Sequence, residues 1–529
     1  MDRIGRRNSI VLGLIIGVVG NLLVLAAIQA ASFILVMIGL LLMGITNHLC
    51  LDVASVPFLW IVPLAIYLAT LIVCFGAPQV YRRVPFVLLA LVAYSAEAIL
   101  TRLGLATTAL EALGGTVQFQ IAQHGTFLLA TCMVLHGEMY RLRPPTRSLT
   151  AYYLCTSGGG ALGGLFVGLV APRVFDGFYE LQVGVALAVV LGLAACRDDV
   201  RGFFSHGAPV WRWVVVIPVV VVGLGYAGVQ TFRQPAFVLH QERSFFGVLR
   251  VEMQRNLGAE ARALLHGSTQ HGVQVVGSET TPTSYYGAHT GIGIALTRPD
   301  PAPPLRIGVV GLGTGTLATY GRTGDHIQYF EIDPAVIRLS RDSGFFTYLK
   351  QTAAEVDVVL GDGRISLARE RENDAPRFDY LIVDAYSSDA VPLHLLTREA
   401  LALYVDSLLP DGLLAIHTSS RHFDLLPVLS RLAEEEHLTA ASLDSAAAPK
   451  YFSGASTWVF FSRDAARIDA LARAAEQRRR VLGLENLARP AVRRATREEI
   501  DGAPLWTDDY SDLYRALNDA GSAVRRRAR

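Results

Sequence analysis

Leu305-Arg-Ile-Gly-Val-Val-Gly-Leu-Gly-Thr-Gly-Thr316 is an apolar strand that runs straight into a glycine loop, Gly311-x-Gly313-x-Gly315. A second apolar run follows, His326-Ile-Gln-Tyr-Phe-Glu-Ile-Asp333, and ends in carboxylates. Strand, glycine loop, helix and acid-tipped strand, in that order, read as the first βαβ unit of a nucleotide-binding sheet. The glycines let the backbone turn tightly and approach a ligand, and Glu331 at the tip of the second strand can accept both hydroxyls of a ribose. A carboxylate there disfavours a 2′-phosphate and with it NADP. Asp333 is placed to cap the helix starting at Pro334.

Downstream, the pattern predicts further strands near 356–361, 379–384, 412–418, 438–444 and 456–462. Helices fit between most of them, at 334–342, 364–371, 396–409 and 424–436. Seven strands with helical crossovers predict a doubly wound, Rossmann-like α/β domain over 301–465. Upstream, residues 233–300 read as a small β segment with strands at Phe246–Met253 and Ala261–His266, followed by a Pro-rich linker at 298–304. Downstream, 466–529 reads as a helical Arg/Ala-rich tail ending in the basic cluster Arg525–Arg529, suited to solvent or lipid headgroups.

The rest of the chain is different in kind. Of 529 residues, 52% are hydrophobic and only 18% charged, and mean hydropathy is +0.37. The apolar excess lies in residues 1–232, where about eight runs are long enough to span hydrocarbon: near 9–29, 31–48, 57–75, 84–103, 117–136, 150–171, 178–196 and 211–229. The expectation is a multi-pass α-helical membrane bundle. Gly160, Gly164 and Gly168 would form one smooth helix face for close approach. Asn47, His48, Asp52, His124 and Glu138 lie in or beside the spans, either as a solute or ion pathway or as ties near helix ends. Eight spans put both termini on one side, and Arg3, Arg6 and Arg7 mark that side as cytoplasmic, with the soluble domain there too. The clusters Arg82–Arg83, Arg141–Arg143–Arg147 and Arg197–Arg201 conflict with that count under the positive-inside rule. Either a span near 31–60 is miscounted or the soluble domain faces outward.

A net charge of +1 gives no case for a nucleic-acid partner. The cysteines, Cys50, Cys74, Cys132, Cys155 and Cys196, contain no CxxC and read as apolar fillers, so neither a metal site nor a disulfide framework is expected.

Chemistry-bearing residues collect at the strand ends, where open α/β sheets bind ligands. Strand three ends in Gly361-Asp362-Gly363, where Asp362 can reach an adenine amino group or simply form the turn before the next helix. Strand four ends in Asp384, which can hold an ammonium group and take a proton as an amine attacks; Asp389 would add a second negative charge. Tyr285, Tyr286 and Tyr386 could wall an alkylammonium by cation–π contact or pack in the core. His417 ends strand five, and Trp506-Thr-Asp-Asp-Tyr510 could approach the site from the tail.

These segments resemble the spermidine synthase family of aminopropyltransferases, and in architecture its membrane-fused branch. The resemblance rests on Val309–Gly315, Phe330-Glu-Ile-Asp-Pro-Ala-Val336, Gly361-Asp-Gly363, Leu381-Ile-Val-Asp-Ala-Tyr-Ser-Ser-Asp389 and Leu265-His-Gly-Ser-Thr-Gln270. It implies that Gln270 and the Gly311, Gly313, Gly315 loop contact a decarboxylated S-adenosylmethionine co-substrate, that Glu331 binds its ribose, and that Asp362 with Gly363 contacts its adenine. It further implies that Asp384 positions and deprotonates the attacking amine, with Tyr285, Tyr286, Tyr386 and Asp389 around the acceptor. The implied reaction moves an aminopropyl group to a polyamine such as putrescine, giving spermidine and methylthioadenosine, with no metal or resident cofactor. The family also implies a homo-oligomer. The sequence departs from the family at Tyr285-Tyr286-Gly287, which lacks the family's His and Glu, and in the wider spacing of Asp384 and Asp389. Two other readings stay open: an S-adenosylmethionine-dependent methyltransferase, and a polyamine transport or sensing protein with a nucleoside-binding domain.

Overall fold

The computed structural model describes residues 3–53, 59–102, 116–195, 237–256, 258–267, 269–385, 392–419, 423–484 and 491–516. The expected span at 211–229, the clusters Arg197–Arg201 and Arg525–Arg529, Cys196, and the loop residues Tyr386 and Asp389 lie outside them. The chain divides into two compact units, residues 1–235 and 236–529.

The described part of the first unit is helical: α1 (Arg3–Asn47), α2 (Ile61–Gly76), α3 (Arg83–Arg102), α4 (Thr116–Arg141), α5 (Leu149–Leu165) and α6 (Tyr179–Ala195). The runs 9–29 and 31–48, expected as two spans, are one 45-residue helix. No proline or polar turn separates them, so nothing ends the helix between the two runs. At 1.5 Å per residue α1 is about 68 Å long. Its inward face, Ile34, Ile38, Leu41 and Ile45, meets Leu128 and Leu135 of α4, Tyr152 of α5 and Val185 of α6 in one core.

The close helix–helix contact uses a different glycine row from the expected one. A Cβ at Gly159 would lie 2.3 Å from the Ser32 carbonyl oxygen and one at Gly163 2.5 Å from that of Val36, whereas one at Gly164 or Gly168 would meet open space. The i, i+4 pair Gly159/Gly163 makes the closest approach to α1; of the expected row only Gly160 touches α1, at Leu35 and Gly39, while Gly164 and Gly168 do not. Glu138 is a tie: it accepts from Arg83 Nε at 2.6 Å and Nη2 at 2.9 Å, and from the Tyr81 hydroxyl at 2.7 Å. The His124 ring lies 4.7 Å from that of His48.

The second unit opens with an antiparallel meander, β1 (Val238–Ser244), β2 (Gly247–Asn256), β3 (Ala259–His266) and β4 (Thr269–Val275). After the short helix α7 (Gly291–Leu296) come β5 (Arg306–Val310), β6 (His326–Glu331), β7 (Glu355–Leu360), α8 (Gly363–Glu372), β8 (Phe378–Val383), α9 (Arg398–Asp406), β9 (Leu408–His417), α10 (Leu426–Glu435), β10 (Thr439–Ser445), β11 (Ser456–Ser462), α11 (Ala465–Val481), β12 (Ala491–Arg493) and α12 (Arg497–Gly502). One eight-stranded sheet results, ordered β12-β10-β11-β9-β8-β5-β6-β7. β5 to β9 pair in parallel, and β10, β11 and β12 are antiparallel to their neighbours. Both faces are covered, as the parallel strands require. Along β8, Leu381 and Val383 enter one core with Leu401 and Tyr404, while Tyr380 and Ile382 enter the other with Trp458 and Phe460.

Two local expectations need correction. The glycine loop leads into a five-residue 3-10 turn, Thr316–Tyr320, which Gly321 follows, instead of an α-helix. No helix dipole therefore points at the loop from that side. The tail is also not simply helical. After α11, β12 pairs with β10 and extends the sheet, and Trp506 is fully buried in the core beside Leu401 and Tyr404.

Candidate active site

Chain order reverses at β5: β6 and β7 lie to one side of it and β8 and β9 to the other. Outside the carboxyl ends of these strands is the crevice where such sheets bind ligands. A cavity of about 290 Å³ opens there, lined by Gln270, Tyr285, Tyr286, Gly311, Gly313, Glu331, Asp362, Gly363 and Asp384. Nine of the ten described residues expected at the site thus share one cavity. Gly315 is the exception; it packs against Leu349.

Two glycines are sterically required. Gly311 has φ +100°, and a Cβ there would sit 2.3 Å from the Asp384 carbonyl oxygen. Gly313 has φ +52°, and its Cβ would lie 2.7 Å from the carbonyl oxygen of His271. Only glycine lets the loop pass between the end of β8 and the start of β4.

The carboxylates are each engaged. Glu331, 7% exposed, accepts the Leu312 N–H at 2.9 Å on one oxygen and the Asp333 N–H at 2.8 Å on the other. Burial pushes its carboxyl above the ordinary range, against the pull of those backbone donors. Asp333 caps the helix after it through the Ala335 N–H at 2.9 Å and also takes the Ser244 hydroxyl at 2.6 Å. Asp362 caps α8 through the Ile365 N–H at 2.9 Å, and its other oxygen lies 3.2 Å from His394 Nε2. Its side chain is thus a helix cap as well as part of the cavity wall.

Asp384, one residue past β8, accepts the Tyr286 hydroxyl at 2.5 Å and faces His417 Nδ1 at 2.8 Å, with the carboxylate side chain 7% exposed. Burial first, then the Asp384 charge, raises the Tyr286 phenol well above its usual value, so it stays a donor. Tyr285 stands with its ring 5.1 Å from that of His417. The Trp506–Tyr510 segment does not line the cavity. Asp508 instead binds Arg364 through two 2.7 Å contacts and the Thr397 hydroxyl at 2.8 Å, pinning the tail to α8 and α9.

Sequence reasoning missed His266, His271, His394 and Ser419, which also line the cavity. Ser419 lies two residues past His417, so alternation at that strand end carried a signal, whereas His271 directly follows Gln270 and alternation gave none for it. His271 Nε2 is enclosed without a hydrogen-bond partner. Burial, reinforced by His266, pushes that imidazole down to about 4 while Asp384 pulls it up.

Strand order, glycine loop and acid-tipped strands define a Rossmann-like domain of the methyltransferase type. No family model matches the chain. Over 122 residues it is 30% identical to the polyamine aminopropyltransferase of Vibrio vulnificus (strain CMCP6), which is 22% of this chain and 38% of that protein. The chain thus spans well under half the length of the curated relative it matches. This match supports the resemblance to the spermidine synthase family drawn from the motifs. Among solved structures, it is similar to a probable spermidine synthase from Corynebacterium glutamicum ATCC 13032 (19% identity, 53% of this chain and 99% of that one, TM-score 0.38). It is also similar to spermidine synthase from Thermotoga maritima (20%, 43% and 73%, TM-score 0.30) and to an O-methyltransferase from Bacillus cereus (15%, 30% and 73%, TM-score 0.23).

Proposed function

We propose that the second unit is an aminopropyltransferase that moves the aminopropyl group of decarboxylated S-adenosylmethionine to a polyamine nitrogen, releasing methylthioadenosine. The observation that carries this is the charge of the cavity. Its described lining holds four carboxylates, Glu331, Asp333, Asp362 and Asp384, and no arginine or lysine. A sulfonium donor with an ammonium tail, meeting an amine, suits such a wall. The carboxylate tail of S-adenosylmethionine would find no cationic partner among those residues, which disfavours the methyltransferase reading.

In this reading Glu331 holds the ribose diol, Asp362 and Gly363 border the adenine, and the Gly311 and Gly313 backbone with Gln270 flanks the sulfonium tail. Asp384, Tyr286 and Tyr285 face the acceptor. The donor brings its own leaving group, so the residues' work is alignment and charge neutralisation, with no resident cofactor required. Calorimetry tests the reading: decarboxylated S-adenosylmethionine is expected to bind at least about tenfold more tightly than S-adenosylmethionine, equivalent to about 1.4 kcal/mol. Equal or reversed affinities would return the methyltransferase to first place.

We further propose that the first unit is a multi-pass membrane domain. Asn21–Cys50 and Thr146–Val174 are long and apolar enough to cross a bilayer. Large apolar side chains also face outward, Ile72 at 69% and Leu154 at 73% exposure, as lipid-facing residues do. With 9–48 a single helix, the segments through 211–229 number seven instead of eight. The tail Arg3–Arg7 and the clusters Arg82–Arg83, Arg141–Arg147 and Arg197–Arg201 then fall on one side, and the odd count puts the soluble domain on the other, against the expectation that it shares the cytoplasmic side with the amino terminus. Reporter fusions after residues 81, 145 and 203 are expected to give the same sidedness; opposite signals from any two would refute the count.

A further inference from the structure

Asp384 does not face the cavity alone. Behind it a line of hydrogen bonds runs to a half-buried hydroxyl: Asp384 Oδ1 to His417 Nδ1 at 2.8 Å, then His417 Nε2 to Ser419 Oγ at 2.6 Å. Asp384 is supplied by the loop after β8, His417 by the last position of β9, and Ser419 by the residues just beyond it. The stacked Trp458 ring, centroid 4.6 Å from that of His417 and tilted by 21°, fixes the imidazole plane.

Proton counting along this line sets the tautomer. A carboxylate only accepts, so Nδ1 carries a hydrogen and Nε2 accepts the Ser419 hydroxyl hydrogen. Ser419 Oγ in turn accepts the Thr457 N–H at 2.8 Å. A hydroxyl oxygen has one hydrogen and two lone pairs, so one lone pair of Ser419 is left, and Ser419 lines the cavity. An imidazole with a carboxylate behind it and a hydroxyl in front is built to draw a proton from that side.

We propose that, in the aminopropyl transfer on which this inference rests, the acceptor nitrogen gives its proton to Ser419 Oγ while the Ser419 hydroxyl proton moves to His417 Nε2, with the Asp384 carboxylate against Nδ1. The amine lone pair forms the new C–N bond, and the C–S bonding pair stays on sulfur, leaving a neutral thioether. The proton rests on the imidazole and returns to solvent through Ser419 once the products leave. Asp384 is then the positioning partner of the imidazolium, with the Tyr286 hydroxyl holding its other oxygen. The rings of Tyr285 and Trp458 flank His417, and the Asp384 charge in turn pulls on the buried His271 imidazole, which burial keeps neutral.

The test measures methylthioadenosine release by full-length wild type, Ser419→Ala and His417→Gln from pH 5 to 9, with methylthioadenosine affinity as the check on folding. General-base assistance contributes about 10²–10⁴-fold. Both variants are therefore expected to lose about 100-fold or more in kcat while keeping donor KM and product affinity. Variants with near-normal kcat would overturn the relay and leave Asp384 to take the proton directly. Wild type that releases no methylthioadenosine with any amine would instead overturn the aminopropyl reading itself, and the relay with it.

Discussion

Glu331→Gln isolates the residue proposed to hold the ribose of the nucleoside. Both oxygens of Glu331 accept backbone N–H groups, from Leu312 and Asp333, in a site that is 7% exposed. A glutamine can replace only one of those acceptors; its NH₂ would face the other N–H donor. Leaving one buried N–H unsatisfied costs about 1–3 kcal/mol. The ribose diol would also lose a bond to a charged acceptor, about 1.5–3 kcal/mol, which is roughly 10- to 150-fold in Kd. The two effects separate by ligand. Calorimetry with methylthioadenosine and with its 2′,3′-dideoxy analogue forms a cycle with wild type and variant. The affinity loss is expected with the diol and should nearly vanish without it, while the lower thermal midpoint appears in both. An equal loss for the two ligands would mean that Glu331 only shapes the loop, and the assignment of the ribose site would be wrong.

Three further outcomes follow from the geometry. Gly311→Ala forces a Cβ against the Asp384 carbonyl at φ +100°; since misplacement by about 1 Å can cost about 100-fold, turnover should fall at least that far, and full activity would refute the steric argument. Because the folded pKa of His271 is depressed from 6.5 to about 4, the unfolded chain takes up that proton first as pH falls. Stability of the second unit is thus lost from about pH 6.5 down to about 4, at up to about 1.4 kcal/mol per pH unit; thermal melts of His271→Asn against wild type should show a flatter dependence, and parallel curves would contradict it. In the first unit Gly163→Ala should cost about 1–3 kcal/mol by overpacking, whereas Gly164→Ala, which meets open space, should leave the detergent melting temperature nearly unchanged.

The parallel part of the sheet was legible because its signals are local. Apolar runs at β5, β6 and β8 end in residues that break the pattern, and the glycines and tip acids lie within a few positions of one another. What sequence reading missed depends on partners far apart in the chain. Ser419 gains meaning only through His417, which joins it to Asp384, 33 residues from His417, and His271 reaches the site because β4 packs against the glycine loop; His417 and Gln270 were named from the sequence, but not what they meet there. The three-residue β12 is too short to carry a periodicity of its own, and the burial of Trp506 is decided by α9. Span counting failed at α1 for another reason: hydropathy windows measure membrane thickness, and a helix that continues past one span carries no mark of its continuity.

The most direct measurement incubates the purified full-length protein with decarboxylated S-adenosylmethionine and a panel of amines and follows the products by mass spectrometry. Methylthioadenosine together with an amine heavier by one aminopropyl group, both abolished in Asp384→Asn, is the predicted result. S-adenosylhomocysteine formed from S-adenosylmethionine, with no amine extended, would contradict the account.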